Sequence, residues 1–370
     1  MALVAIASIA GWWLHDSGST PERHDAATRP GASGPPPAFA SSDAPDRAVS
    51  VHALTLRPAA SASPDVPTQV EVCSAGRLDV PIGGESSLAH LQQLPAVHDA
   101  RQRLLARLRS SADAFDRAMA VFLQDDLGAA DRSDRAEQIA RLAQDSPDAR
   151  LAGLAVRVCH ASRQRKHCAA VDARRWTVLA PDNGLAWIYA IDAAWQSHDP
   201  VAAQRGLAGL AANATHESAG FADLARVLVA HSPEPMTDAD LLAEVALWVD
   251  GLGRFSGLGE PLQGLLSLCR RDLAGQEPRA ALCKRAAYAL SREPGDSVEG
   301  PLQAVTLARR VGGPPDWGAA WLAAQEADEL LTVEVLDGSA RCDALRRQDQ
   351  ALRRWAEPGV RWLPPPPPLP

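Results

Sequence analysis

The sequence is short of the residues on which most nucleic-acid binding and much familiar chemistry rest. Only Lys166 and Lys284 are lysines among its 370 residues, and Asp plus Glu outnumber Lys plus Arg by 45 to 37, for a net charge of −8. Phosphate binding needs a basic face, so this balance argues against a general nucleic-acid binder. No Gly-x-Ser-x-Gly elbow, phosphate-binding Gly-rich lysine loop or His-Glu-x-x-His helix occurs. No Cys-x-x-Cys is present, so neither a thioredoxin-type redox site nor a c-type haem attachment has support. Long apolar runs are also missing. The run at residues 3–14 has twelve residues, too few to span a bilayer core as a helix, and no Lys or Arg precedes it as a signal peptide would require.

What is there reads in segments. The run at 3–14 ends on Trp12, Trp13 and Leu14, and indole rings suit a membrane interface. Residues 1–15 are therefore expected to be a signal or membrane anchor, the anchor being favoured. Residues 16–68 are rich in Pro, Ser, Ala, Gly and Asp and hold too little apolar surface to fold, which makes them a tether. Apolar alternation on either side of Ser74-Ala75-Gly76 predicts a small β-hairpin from Gln69 to Ile82. From Ser87 the apolar period becomes helical and persists almost to the end. The expected organisation is a hairpin plus helical repeats over 69–249, a C-terminal helical subdomain over 258–357 and a Pro-rich tail over 358–370. Further helices are expected at 258–273, 277–291, 298–311, 317–331 and 340–357. The glycines from Gly251 to Gly259 read as a hinge. They follow a helix, whereas a dinucleotide fingerprint needs a strand before its loop.

Punctuation in the middle of the chain returns at a fixed interval. Ser146-Pro147-Asp148 and Ala180-Pro181-Asp182 are 34 residues apart, the tetratricopeptide period. At steps of 34 an early position reads Met119, Gly153, Trp187 and Phe221, followed three residues on by Phe122, Val156, Ala190 and Leu224. A later position reads Ile139, Ala173, Leu207 and Leu241. On these residues the chain resembles a tetratricopeptide-like protein over roughly 113–249. The small second-helix residue is kept at Ala169 and Ala203 but is Arg135 and Thr237 in the outer frames. The glycine of the first helix is replaced by Leu123, Arg157, Ile191 and Ala225. The resemblance implies an all-α fold, an antiparallel helix-pair solenoid, that binds a protein or peptide along its first helices. The candidate surface is Trp187, Ala190, Ala194, Trp195 and Leu224, with the indoles as anchors. Trp187 is also read as core between paired helices, and Trp195 as either core or groove rim.

Six cysteines on a chain that reads as exported imply disulfides. The turn over 161–166 brings Cys159 to Cys168, and two consecutive antiparallel helices bring Cys269 to Cys283. Cys73 and Cys342 are left for each other by elimination. A second reading of Cys159-His160 and His167-Cys168 is a zinc site, although adjacent ligands on a helix point about 100° apart. Glu85-Ser86 and Glu217-Ser218 each match the Glu-Ser pair that opens the lytic transglycosylase motif, without the Gly-Leu-Met-Gln run downstream. The expected function is a non-enzymatic, cofactor-free, membrane-tethered interaction or scaffolding module of a bacterial envelope. In this reading its globular part is periplasmic, held at the inner membrane by the N-terminus. The alternatives are a cell-wall hydrolase and a structural spacer.

Overall fold

The computed structural model of the chain describes residues 68–71, 75–80, 94–124, 129–161, 168–214, 220–258, 261–270, 278–292, 307 and 341–357. The anchor at 1–15, nearly all of the tether, Cys73, Glu85, Glu217, the expected helix at 317–331 and the tail at 358–370 lie outside these residues. Over the described residues the chain is mostly helical.

Two four-residue strands come first, β1 (Thr68–Glu71) and β2 (Arg77–Val80), paired antiparallel with Thr68 opposite Val80. Then follow α1 (Pro95–Arg109), α2 (Ala114–Phe122), α3 (Ala129–Ala143), α4 (Ala149–Ala161), α5 (Ala173–Leu179) and α6 (Gly184–Gln196). After these come α7 (Pro200–Asn213), α8 (Phe221–His231), α9 (Asp238–Gly257), α10 (Gln263–Leu268), α11 (Arg279–Arg292) and α12 (Arg341–Ala356).

The helix starts follow from short polar side chains that satisfy the first free N–H groups. Asp113, Asp172, Asn183 and Asp199 each accept from a backbone N–H two or three residues on. Asp148, from the first of the two recurring breaks, accepts from Arg150 N at 2.8 Å. At α9 the cap is reciprocal: Asp240 N donates to Thr237 Oγ1 at 3.2 Å, and Thr237 N donates to Asp240 Oδ2 at 3.1 Å. A capping box of this kind holds two donors at once. It gives the chain a use for Thr237, one of the positions that departs from the repeat pattern.

Successive helices pack as neighbours: α2 with α3, α3 with α4, α4 with α5, α5 with α6 and α6 with α7. Close approach is bought by glycine on the second helix of a pair. A Cβ on Gly206 would lie 2.8 Å from Ile191 Cγ1, and one on Gly209 would run into the Trp187 ring. Bulky Ile191 and Trp187 on α6 are thus accommodated because α7 supplies the missing volume.

The packing also closes across the chain. Helix α1 lies against α9 and α8, and α2 touches α8, contacts that an open stack of repeats restricted to nearest neighbours would lack. Phe255 on α9 is the meeting point. Its ring centroid is 4.7 Å from that of Phe122 on α2 and 5.7 Å from that of Phe221 on α8, and the Arg157 guanidinium of α4 lies over it at 4.9 Å. Arg157 also donates to Phe255 O at 3.2 Å. A second buried cluster joins Leu94, Val97 and Ala100 to Leu242, Ala243 and Val245, with Ala75 of the β1–β2 connection against it. Arg101 fixes the same seam: it is 2% exposed, 3.1 Å from Asp250 Oδ2 and 3.3 Å from Leu123 O. The hinge expected over 251–259 is instead helical as far as Gly257. Gly251 sits where a Cβ would strike Leu224 and come within 3.0 Å of Leu123, so it serves close packing within a continuous helix.

Beyond α9, α10 packs on α6, and α11 packs on α7. Asp192, 3% exposed on α6, accepts from Gly264 N at 3.2 Å in the first turn of α10. The short α10 and the helix α11 stand for the expected helices at 258–273 and 277–291. Helix α12, expected at 340–357, covers α8 and α9.

Candidate functional site

The five residues of the expected binding surface are distributed rather than gathered. Ala190, Ala194 and Leu224 are 8%, 3% and 0% exposed and belong to the core. Trp187 packs between α6 and α7, its Nε1 donating to Pro181 O at 2.7 Å and its ring over Gly209. Trp195 is 39% exposed, the outlying member of the set. Ala190 and Ala194 are buried where α6 packs among α5, α7 and α10, and Leu224 where α8 packs on α9.

An apolar edge exists elsewhere. The large exposed apolar side chains among the described residues are Val178 on α5, Trp195 on α6 and Val201 on α7. The ion pair of Arg174 and Asp199, at 3.7 Å, sets the start of α5 beside the N-cap of α7. Val178 is one turn beyond Arg174, and Val201 is two residues beyond Asp199. Helix α6 ends at this edge on His198, whose φ of 57° turns the chain while Asp199 N donates to Ala194 O at 2.9 Å. The three exposed apolar side chains thus sit on three consecutive helices, with Arg174 of α5 paired to Asp199 at the start of α7. Exposed apolar side chains among polar neighbours have the composition of a protein-contact surface.

The polar clusters have other roles. Ser111 Oγ donates to Asp116 Oδ2 at 2.7 Å, and His231 Nε2 is 2.7 Å from the same oxygen. A nucleophilic triad needs histidine between serine and carboxylate. Here the carboxylate is central, so the group is a strut between the start of α2 and the end of α8. Cys159 is bonded to Cys168 with 5.4 Å between Cα atoms, and Cys269 to Cys283 with 5.7 Å. Both fall within the usual range for a disulfide. With its sulfurs joined, the Cys159 and Cys168 pair has no thiolate to give a zinc ion, and His160 stands edge-on to Tyr189 at 5.2 Å. No group of three or more metal-ligating side chains occurs among the described residues. The Cys73 and Cys342 pairing lies outside the described side chains.

Glu244 is the site residue that the sequence reading passed over. It is fully buried on α9, with the Arg353 guanidinium 3.7 Å from its Oε2. Burial pushes its pKa up to about 7, against the opposing pull of Ser232 and the Arg353 guanidinium and with some help from Asp349. The sequence did carry a signal, since Glu244 is the sole charge in the apolar stretch from Leu241 to Val249.

Compared with known proteins, the chain matches no family model, no curated protein and no solved structure.

Proposed function

We propose that this chain is a non-enzymatic protein-interaction or scaffolding module of a bacterial envelope, tethered to the inner membrane by its N-terminal segment. The observation that supports it best is the exposure of Val178, Trp195 and Val201 on the consecutive helices α5, α6 and α7. Exposed indole on a rigid element is the usual anchor for a protein partner. In this reading α2/α3, α4/α5, α6/α7 and α8/α9 are tetratricopeptide-like pairs whose stack has closed, moving the contact surface from a concave groove to the outer edge. The two disulfides favour an oxidising compartment. No helix among the described residues is long and apolar enough to cross a membrane, so the tether rests on residues 3–14.

Two experiments test this reading. The protein should fractionate with membranes and release its folded part on proteolysis within residues 20–65; intact chain in the soluble cytoplasmic fraction would sink the tether. In-cell cross-linking should give adducts with the wild type that Trp195→Ala and Val178→Asp lose while their melting temperatures stay close to wild type. Unchanged adducts in both variants would remove this edge from the proposal.

A further inference from the structure

The contact of α12 with α8 and α9 contains two carboxylates and one guanidinium. Arg353 Nε lies 3.1 and 3.0 Å from the two oxygens of Asp349, its Nη2 lies 3.7 Å from Glu244 Oε2, and the same Nη2 is 3.0 Å from Met236 Sδ. Arg353 is 37% exposed and Glu244 is 0% exposed, so the guanidinium lies between the buried acid and water. Asp349, one turn before Arg353 on α12, takes the closer pairing. Ser232, at the end of α8, gives its hydroxyl proton to Leu228 O at 3.0 Å.

Several other charges near α9 are paired away from this cluster. On α9 itself Asp240 pairs with Arg103 and Asp250 with Arg101, both from α1. His231 of α8 is held by Asp116, and Arg226 of α8 by Asp223 and Ala356 O. Glu234, in the α8–α9 connection, acts on Arg353 and so competes for the same cation. With Glu244, Asp349 and Glu234 all drawing on the one Arg353 guanidinium, the carboxylates outnumber the cation, and a proton held on one carboxyl relieves the excess. Glu244 is that carboxyl, because it is the fully buried one, whereas Asp349 holds the guanidinium at 3.0 and 3.1 Å.

We propose that Glu244, Asp349 and Arg353 form a proton-operated latch: α12 docks on α8 and α9 with Glu244 protonated and loosens when Glu244 ionises. Docking removes the Glu244 carboxyl from water, so undocking lets the anion hydrate. The sign follows from linkage: the docked state binds the proton more tightly, so docking is strongest below the free carboxyl range and weakens as pH rises toward neutrality. Leu352 and Trp355, 0% and 4% exposed on α12, would become accessible on release together with the part of α8 and α9 that they cover. The latch would therefore couple exposure of an apolar helix face to the acidity of the compartment.

The test is peptide-resolved hydrogen exchange on the full chain between pH 5 and 7, corrected for intrinsic exchange, in the wild type, Glu244→Gln and Asp349→Asn. Wild-type protection of residues 341–356 is expected to fall on the order of tenfold or more across this range. Glu244→Gln should remove that fall, and Asp349→Asn, which leaves Arg353 to Glu244, should move its midpoint to lower pH. Equal pH dependence in the wild type and Glu244→Gln would overturn the latch. A midpoint unmoved in Asp349→Asn would overturn the shared-cation arrangement.

Discussion

At the scale of single residues, the charged side chains in the interior set the pH response and much of the stability. Glu244 has a pKa raised from 4.5 to about 7 by burial. The folded chain therefore holds a proton that the unfolded chain releases, and stability falls as pH rises from 4.5 to about 7 and levels beyond. The difference corresponds to about 3 kcal/mol. Urea titrations at pH 5 and pH 8 should show Glu244→Gln gaining stability over the wild type at the higher pH and little at the lower. Arg101 acts in the opposite sense. Its removal strands part of Asp250 and opens the seam between α1 and α9, so Arg101→Ala should cost about 3 kcal/mol. Arg101→Met, which keeps the buried stem, should recover a good part of that loss in the same titration.

Elements hold together through close helix contacts and two cross-links. Gly209 beneath Trp187 is the tightest of those contacts, so Gly209→Ala should destabilise by about 1 to 3 kcal/mol through overpacking, despite the gain in helix propensity. A melting temperature equal to or above wild type would contradict that packing. The disulfides differ in what they tie. Cys159–Cys168 links the end of α4 to the residues just before α5, whereas Cys269–Cys283 joins α10 to α11, and these last two helices rest on α6 and α7 respectively. Replacing Cys269 and Cys283 together by Ser should cost about 3 kcal/mol in the loop-entropy picture. Non-reducing peptide mapping checks the bonds themselves, and free thiols at these four positions in natively purified protein would contradict them.

For the whole molecule, closure is the feature that separates this fold from an extended stack. Phe255 gathers α2, α4, α8 and α9 at one point, so truncating it removes contacts from both ends of the chain order. Phe255→Ala should cost about 3 to 5 kcal/mol, and exchange protection should fall together in α1, α2, α8 and α9. A loss confined to α9 and its immediate neighbours would fit a one-dimensional stack better.

Much of the helical order was legible locally. The breaks at Pro147 and Pro181 and the caps around them mark helix ends, because capping depends on residues two or three apart. The two closed disulfides were legible for the same reason: sequence separations of 9 and 14 leave few alternatives. The hinge at 251–259 misled, since glycine marks a loop in the chain alone but a close contact once Leu224 and Leu123 stand over it. Arg101 lies on the apolar stripe of Val97, Leu104 and Leu108, yet no local rule names Asp250, 149 residues away, as its partner. The apolar period determined by itself that this chain is helical and which faces are buried, because that pattern is a property of neighbouring residues. Which buried faces meet was decided only in the tertiary structure. There α6 packs among α5, α7 and α10 and α8 packs on α9, so that Ala190, Ala194 and Leu224 become core, Trp195 stays in solvent and Glu244 is cut off from water.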